Sequence, residues 1–315
     1  MAHKQKIILW GHPPNVPIRH TQSYIWESLY RAFKHLGYNV WWFADAPAPV
    51  DFDFTNCIFI SEGFNDKHIP LRESSTYFVH VCINPKKYLA VSKNLIDLRF
   101  LMDSMDNDNY DYILDRTKCE TLDTGLLYDS FESYEVGYKI AYIAWGTNLL
   151  PHEIDLEWAK LPRKNVYNYI GTISTSGRFE NGKDIYRFAE ICKSRSGANF
   201  YHVDPWINPV SEAGQIKLIQ ESILSPDFRS FQHQKWGYLP CRVMKSISYG
   251  QLGLTNSLAM YNFLEQSVIY GKSPQDLFDD GMRFRNNYHW IQAQMRLIQE
   301  KHTYVNRVNG MMKLV

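Results

Sequence analysis

The sequence lacks paired cysteines, glycosylation sequons and long apolar runs. Its five cysteines include no C-x-x-C pair, so neither a disulfide framework nor a zinc site is expected, and a reducing compartment fits. No N-x-[ST] sequon occurs, and the apolar run Ile7–Trp10 is too short for a signal-peptide core or a membrane span. These absences predict a cytoplasmic protein without a transmembrane segment.

The sequence also lacks an excess of charge of either sign. Lys and Arg total 34, Asp and Glu total 33, and the formal net charge is +1. A protein built around the nucleic-acid backbone needs a strong basic excess, so no nucleic-acid partner is expected, although local sites for small anions stay open. The sequence has no G-x-S-x-G elbow, P-loop or G-x-G-x-x-G run. Hydrolase, kinase and ordinary dehydrogenase functions therefore lose their main support.

The sequence does contain enough hydrophobic residues to form cores. Its 315 residues are a natural length for two domains, and 45% of them are hydrophobic. Aromatic residues make up 15%. Most of them are expected in cores, and some could stack on sugar rings in a binding cleft.

The first half of the chain has the pattern of a βαβ unit. A buried strand at Lys6–Trp10 precedes an amphipathic helix at Ser23–Leu36, which Gly37 ends, and a second strand follows at Tyr38–Phe43. This order implies parallel pairing of the strands. Further strands are predicted at 57–61, 76–83, 110–114 and 138–144, with a helix within 85–102.

A second α/β pattern begins after the polar linker Lys160–Asn165. Strands are predicted at 165–170, 198–203, 227–231 and 252–255, and helices at 184–193, 212–224, 240–249 and from about 287. The sequence therefore predicts an α/β protein of two tandem Rossmann-like domains, 1–159 and 160–315.

The most informative segment runs from Gly237 to Ser257. Pro240 suits the first turn of a helix, where free N–H groups and the helix dipole favour an anion. Arg242 and Lys245 are spaced i, i+3 and share one face, as a clamp for a diphosphate would require. An ordinary amphipathic helix with two solvated cations fits the same residues.

These features resemble a GT-B-type glycosyltransferase. The segment Arg242–Gly250 is similar to the donor-binding helix of such enzymes, and the tail His302–Arg307 to their terminal helix. The chain resembles uncharacterised viral and bacterial members. The resemblance implies a GT-B architecture with an interdomain cleft, an acceptor-binding first domain and a nucleotide-sugar-binding second domain. It also implies that the last helix returns to the first domain.

Candidate site residues lie in loops after strands, where open parallel sheets bind ligands. The base that deprotonates the acceptor is expected to be His20, or else Glu62. The acceptor site is expected to contain His12, Arg19, Thr21 and His80. With the resemblance, the donor site is expected to contain Gly171, Thr172, Arg178, Arg242, Lys245, Tyr249 and Asn256.

No metal site is expected. Asp51–Asp53 and Asp106–Asp108 match D-x-D, the metal motif of GT-A-type glycosyltransferases, but the first precedes a predicted strand and the second lies in a polar loop. Solvated loop carboxylates explain both. His12 and His20 are eight residues apart, a poor spacing for metal ligands.

The predicted function is a metal-independent glycosyltransferase. It would move a hexosyl or pentosyl group from a nucleotide-sugar, its co-substrate, to a glycan or other hydroxyl acceptor in glycan biosynthesis. Two alternatives stay open: a sugar-nucleotide epimerase or hydrolase of the same fold, and a non-catalytic glycan-binding protein.

Overall fold

The computed structural model describes residues 5–13, 21–99, 119–121, 126–129, 138–177, 179–235 and 237–315. The described residues form two compact units. The first combines residues 5–13, Ile25–Ala144 and Tyr304–Val315, and the second combines residues 21–24 and Trp145–Thr303. Most of the second unit thus begins at Trp145, and the domain boundary expected at residue 160 stays a prediction. The roles assigned to the two domains stay predictions.

The first unit is built on a parallel sheet. Its elements are β1 (Lys6–Gly11), α1 (Thr21–His35), β2 (Asn39–Ala44), β3 (Cys57–Glu62), β4 (Thr76–His80), α2 (Pro85–Leu89), β5 (Leu95–Arg99), β6 (Cys119–Thr121), β7 (Leu126–Asp129) and β8 (Lys139–Ile143). Residues 21–24, at the start of α1, are assigned to the second unit. The strand order in the described residues is β2-β1-β3-β4-β5-β8-β7-β6. The first six strands in this order, from β2 to β8, pair in parallel. Strand β7 pairs antiparallel with β8, and β6 pairs antiparallel with β7 at the edge of the sheet. The predicted α/β class with a parallel sheet is confirmed.

Aromatic side chains fill much of the space beside this sheet. Phe59 and Tyr77 are fully buried, with their rings stacked 5.0 Å apart between centroids. Trp10, Phe54 and Tyr88 belong to the same hydrophobic cluster. Burying side chains of this size provides a large share of the hydrophobic stabilisation of a core. Many of the aromatic residues therefore serve the fold.

The helix predicted within 85–102 is confirmed only at Pro85–Leu89. Asn84 caps the short helix α2, and the chain then forms strand β5 between β4 and β8. Strand β5 contains Asp97 and Arg99, both almost fully buried, and Arg99 Nε donates to Asp97 Oδ2 at 2.8 Å. Their mutual neutralisation lets two charged residues occupy a buried strand. The predicted strand at 110–114 lies outside the described residues.

The second unit has two small parallel sheets with helices around them. Its elements are β9 (Val166–Ile170), α3 (Gly182–Ser196), β10 (Asn199–Val203), α4 (Glu212–Glu221), α5 (Phe231–Lys235), α6 (Cys241–Ser248), β11 (Leu254–Thr255), α7 (Leu258–Phe263), β12 (Ile269–Tyr270), α8 (Pro274–Phe284) and α9 (Tyr288–Lys301). Strand β9 pairs with β10, and β11 with β12. Single bridges add Leu224 beside Tyr167 and Asp227 beside Thr255.

The strand predicted at 227–231 is replaced by one bridge and a helix. Asp227 pairs with Thr255, after which Ser230 Oγ accepts a hydrogen bond from His233 N at 3.2 Å in the first turn of α5. Such a side-chain contact to the backbone favours the start of a helix over continuation of a strand.

The last helix, α10 (Tyr304–Met312), belongs to the first unit. Arg307 is fully buried there, and its Nε donates to the carbonyl oxygen of Ala144 at 2.7 Å. Within the parts of the chain described above, no helix combines the length and the apolar character that crossing a membrane would require.

Candidate functional site

Three predicted site residues of the first unit come together at the carboxyl ends of neighbouring strands. His12 follows β1, while Glu62 ends β3 and His80 ends β4, where the two are register partners. Glu62 Oε2 lies 2.6 Å from His12 Nε2, and Glu62 Oε1 lies 3.5 Å from His80 Nδ1. Asn65 Nδ2 also donates to Glu62 Oε2, at 3.1 Å. We call His12, Glu62 and His80 the histidine–glutamate cluster.

The cluster holds Glu62 as a carboxylate. Only 3% of Glu62 is exposed. Burial alone would raise its pKa, but hydrogen bonds from His12 and His80 outweigh burial and hold the pKa well below its usual range. Burial lowers the pKa of His80, against the opposing effect of Glu62. An ionised carboxylate only accepts hydrogen bonds, so His12 donates through Nε2–H, and its Nδ1 becomes the acceptor nitrogen in the neutral ring.

The backbone around this cluster is tightly constrained. A Cβ on Gly63 would lie 2.2 Å from the carbonyl oxygen of Val81, so only glycine fits next to Glu62. Val81, the residue after His80, has a φ of 53°, which is costly for a β-branched residue. Strain of this kind concentrates at functional sites.

In the second unit, Arg242 of α6 is fixed against the end of strand β9. Its Nε donates to the carbonyl oxygen of Ile170 at 2.7 Å, and its Nη1 donates to Tyr169 Oη at 2.8 Å. The guanidinium also lies 4.2 Å from the centre of the Tyr169 ring. A Cβ on Gly171 would lie 1.8 Å from Arg242 Nη2, so the missing side chain leaves the room that the guanidinium occupies.

A buried carboxylate joins Arg242 to a second arginine. Asp227 Oδ1 accepts from Arg242 Nη1 at 3.1 Å and from Arg229 Nε at 2.7 Å, and Asp227 is fully buried. Burial would raise the pKa of Asp227, but the two guanidinium groups outweigh it and lower the pKa. The same contact raises the pKa of Arg229 despite burial. One carboxylate thus neutralises one of two adjacent cations.

Both arginines border a cavity of about 120 Å³ at the start of α6. Lys245 borders it too, with its Nζ donating to Gln215 Oε1 at 3.1 Å. Burial lowers the pKa of Lys245, with an opposing contribution from Glu212. Among the described residues that line this cavity, three are cationic and none is a carboxylate. We call Arg229, Arg242 and Lys245 the cationic cluster.

Three other residues predicted for the donor site, Thr172, Tyr249 and Asn256, do not line this cavity. Tyr249 is fully buried, and its Oη donates to Asn148 Oδ1 at 2.5 Å. Asn256 is bonded through its side chain to the backbone of Arg229, and the carbonyl oxygen of Thr172 accepts from Asn181 Nδ2 at 3.3 Å. Asn256 therefore holds the backbone of Arg229, a member of the cationic cluster, whereas Tyr249 is a buried residue of the second unit.

Several predicted residues lie outside the described residues: Arg19, His20, Arg178, Asp106 and Asp108. The backbone of Thr21 starts helix α1. Asp53 of the other D-x-D match accepts from Thr55 and lies 3.0 Å from Lys6 Nζ. In the described parts of the chain, no group of three or more His, Cys, Asp or Glu residues is placed to hold a metal ion.

The sequence did not single out Asp227 as a functional residue, and it placed Arg229 in a strand. No local motif marks either residue, since their contacts join segments far apart in the chain. The sequence shows only an aspartate and an arginine two residues apart, just before a predicted ligand-binding loop, which is a weak signal.

Comparison by sequence finds no relative: no protein-family model matches the chain, and no curated protein matches it. Comparison by structure does find proteins of similar fold. The α,α-trehalose 6-phosphate synthase of Burkholderia multivorans aligns with a TM-score of 0.54 at 9% identity, covering 99% of this chain and 96% of that one. The UDP-forming synthase of Burkholderia xenovorans, in complex with glucose-6-phosphate, aligns with a TM-score of 0.54 at 10% identity, covering 98% and 99%. At such low identity the likeness concerns the fold alone: the mixed α/β architecture of this chain, with its parallel sheet, matches that of these GT-B-type proteins.

Proposed function

We propose that this protein is a glycosyltransferase that uses a nucleotide-sugar donor and needs no divalent metal. The observation that supports this most is the cavity at the start of α6, bordered by three cationic side chains and by no described carboxylate. The structural neighbours include a UDP-forming synthase. A glycan or another hydroxyl compound would be the acceptor, and a hexosyl or pentosyl group would be transferred. A cytoplasmic location and a role in glycan biosynthesis are parts of the same proposal.

The cationic cluster suits the leaving diphosphate. Asp227 offsets one charge of the two arginines, so the cluster keeps positive charge for an anion. Arg242 is positioned before any ligand arrives, since Ile170 and Tyr169 hold its guanidinium. Cations and a helix N-terminus fixed in advance stabilise the charge that develops on a departing phosphate.

The histidine–glutamate cluster suits removal of the acceptor proton. Glu62 binds Nε2–H of His12 and leaves Nδ1 able to accept a proton. An imidazole oriented by a carboxylate is an effective general base near neutral pH. We therefore assign the base to His12, with Glu62 as its positioning residue. Glu62 itself is engaged by both histidines and by Asn65.

One assay tests the function. A panel of UDP-, GDP-, CMP- and dTDP-sugars is incubated with the protein, with and without glycan acceptors, and release of the nucleotide product is measured in EDTA and in Mn²⁺. A glycosyltransferase releases the product fastest with an acceptor, and EDTA leaves the rate unchanged. Turnover independent of acceptor would indicate an epimerase or hydrolase, and binding without turnover a glycan-binding protein. Dependence on Mn²⁺ would contradict the metal-free mechanism.

A further inference from the structure

The loop after strand β10 is held in one shape by its own hydrogen bonds. Asp204 Oδ1 accepts from Trp206 N at 2.8 Å, and the carbonyl oxygen of Asp204 accepts from Asn208 N at 2.9 Å. In return, Asn208 Oδ1 accepts from Asp204 N at 2.6 Å, and Asn208 Nδ2 donates to the carbonyl oxygen of His202 at 3.2 Å. An aspartate that bonds to the backbone two residues ahead is a strong turn former.

This ordered loop presents two large apolar side chains to solvent. Trp206 is 65% exposed and Ile207 is 82% exposed, whereas Asp204 is only 4% exposed. Leaving a tryptophan in water forgoes most of the stabilisation that its burial would give. The hydrogen bonds of the loop therefore fix the backbone that carries an exposed indole ring, and a flat ligand could stack on such a ring.

The loop adjoins the cationic cluster. Val203, at the end of β10, accepts from Gly171 N at 2.8 Å, and His202 Nε2 lies 2.8 Å from the carbonyl oxygen of Gly171. Gly171 in turn lies against the guanidinium of Arg242. Pro205 borders the same cavity as the cationic cluster. Trp206 thus directly follows Pro205, which lines the cavity at the start of α6.

We propose that Trp206 stacks on the nucleobase of the donor while the cationic cluster holds the diphosphate. This proposal rests on the proposed function and extends it to the base. A nucleobase is a flat aromatic group tethered to the diphosphate through one ribose, so it must bind near the cavity. Stacking on an indole face tolerates every base, since each has a π-face. Trp206 contributes affinity for nucleotides in general.

Calorimetry on the full chain tests the proposal with UDP, GDP and inorganic pyrophosphate as probes. Trp206→Ala is expected to weaken UDP and GDP binding about tenfold or more. Pyrophosphate has no base, so its affinity should stay unchanged. Trp206→Phe should retain most of the affinity, and Ile207→Ala, at the neighbouring exposed position, should bind all three probes as the unaltered protein does.

The contrary outcomes are distinct. An equal loss for pyrophosphate would mean that Trp206 maintains the loop, and an unchanged affinity for UDP and GDP would place the base elsewhere. Each of these overturns the proposal while the donor site stands. If the unaltered protein binds neither nucleotide nor pyrophosphate, the proposed function fails and the base site fails with it.

Discussion

At the residue scale, Lys245 carries a charge that can respond to both ligand and pH. Burial lowers its pKa, and a bound diphosphate would favour the protonated form. The affinity for UDP should therefore fall as the pH rises through the lowered pKa of Lys245. Lys245→Met should weaken UDP binding by about one to two decades at neutral pH, since a charge-assisted contact contributes roughly 1.5–3 kcal/mol. It should also remove that pH dependence.

Calorimetry across a pH series measures both effects of the Lys245 change. Lys217→Met is the matched control, because Lys217 is exposed on α4. An equal loss of affinity in Lys217→Met would show that overall charge attracts the anion. A Lys245→Met protein with unaltered affinity would exclude Lys245 from the site.

Glu62 allows the assignment of the base to be tested separately from donor binding. Glu62→Gln keeps the shape of the side chain but removes the carboxylate that fixes His12. Transfer should slow by about a hundredfold, the lower end of what general-base catalysis contributes. UDP affinity should not change, because Glu62 lies in the first unit and the cationic cluster in the second.

Initial rates and calorimetry on the same preparation provide the comparison for Glu62. Glu73→Gln removes an exposed carboxylate of the same unit and should leave the rate unaltered. A full rate in Glu62→Gln would remove Glu62 from the mechanism, and a matching loss of UDP affinity would indicate general damage to the protein.

At the scale of elements, the end of strand β9 and the start of helix α6 together position the Arg242 guanidinium. Gly171 has a φ of 146° and adjoins the Arg242 guanidinium. Gly171→Ala would place a methyl group 1.8 Å from Arg242 Nη2, so the arginine must move. We expect UDP affinity to fall at least tenfold, in addition to a loss of stability from the backbone strain of about 1 kcal/mol or more.

The control for Gly171 is Gly197→Ala. Gly197 also has a positive φ, of 61°, but a Cβ there meets nothing within 4 Å. This variant should lose stability through strain alone and keep its UDP affinity. Thermal unfolding and calorimetry separate the two effects. Parallel losses of affinity in both variants would mean that strain, and not the displaced arginine, weakens binding.

Local sequence patterns predicted most of the elements. The apolar run at Ile7–Trp10, the amphipathic helix and Gly37 are local signals, and the structure has β1, α1 and β2 there. Strand β5 was missed because it contains Asp97 and Arg99, which can be buried only because they pair with each other. The pairing of side chains inside a sheet depends on the neighbouring strands, which periodicity does not identify.

The residues of the candidate sites also fall into two groups, those that local sequence patterns could predict and those that they could not. Arg242 and Lys245 could be predicted as a pair because their spacing within one helix is local. Asp227 and Arg229 could not, since they join the site through contacts between separate segments. His12, Glu62 and His80 were each found from their places at strand ends, and topology accounts for their meeting. Their shared hydrogen bonds are visible only in the structure.

At the scale of the whole molecule, the chain ends in the unit in which it begins. Helix α10 contributes Val308 and Met311 to the first unit, both almost fully buried. Met311→Ala should therefore destabilise the first unit by about 2–5 kcal/mol, the usual cost of truncating a buried methionine. Hydrogen exchange should report faster opening of the strands of the first unit, with little change in residues 145–303.

Lys313→Ala tests whether burial is the cause, because Lys313 is exposed two residues from Met311. It should leave hydrogen exchange unaltered in both units. UDP binding by Met311→Ala should persist under conditions where the first unit remains folded, since the cationic cluster lies entirely in the second. If Met311→Ala instead loosened residues 145–303 selectively, the last helix would belong to the stability of the second unit, and the division into units would need to be redrawn.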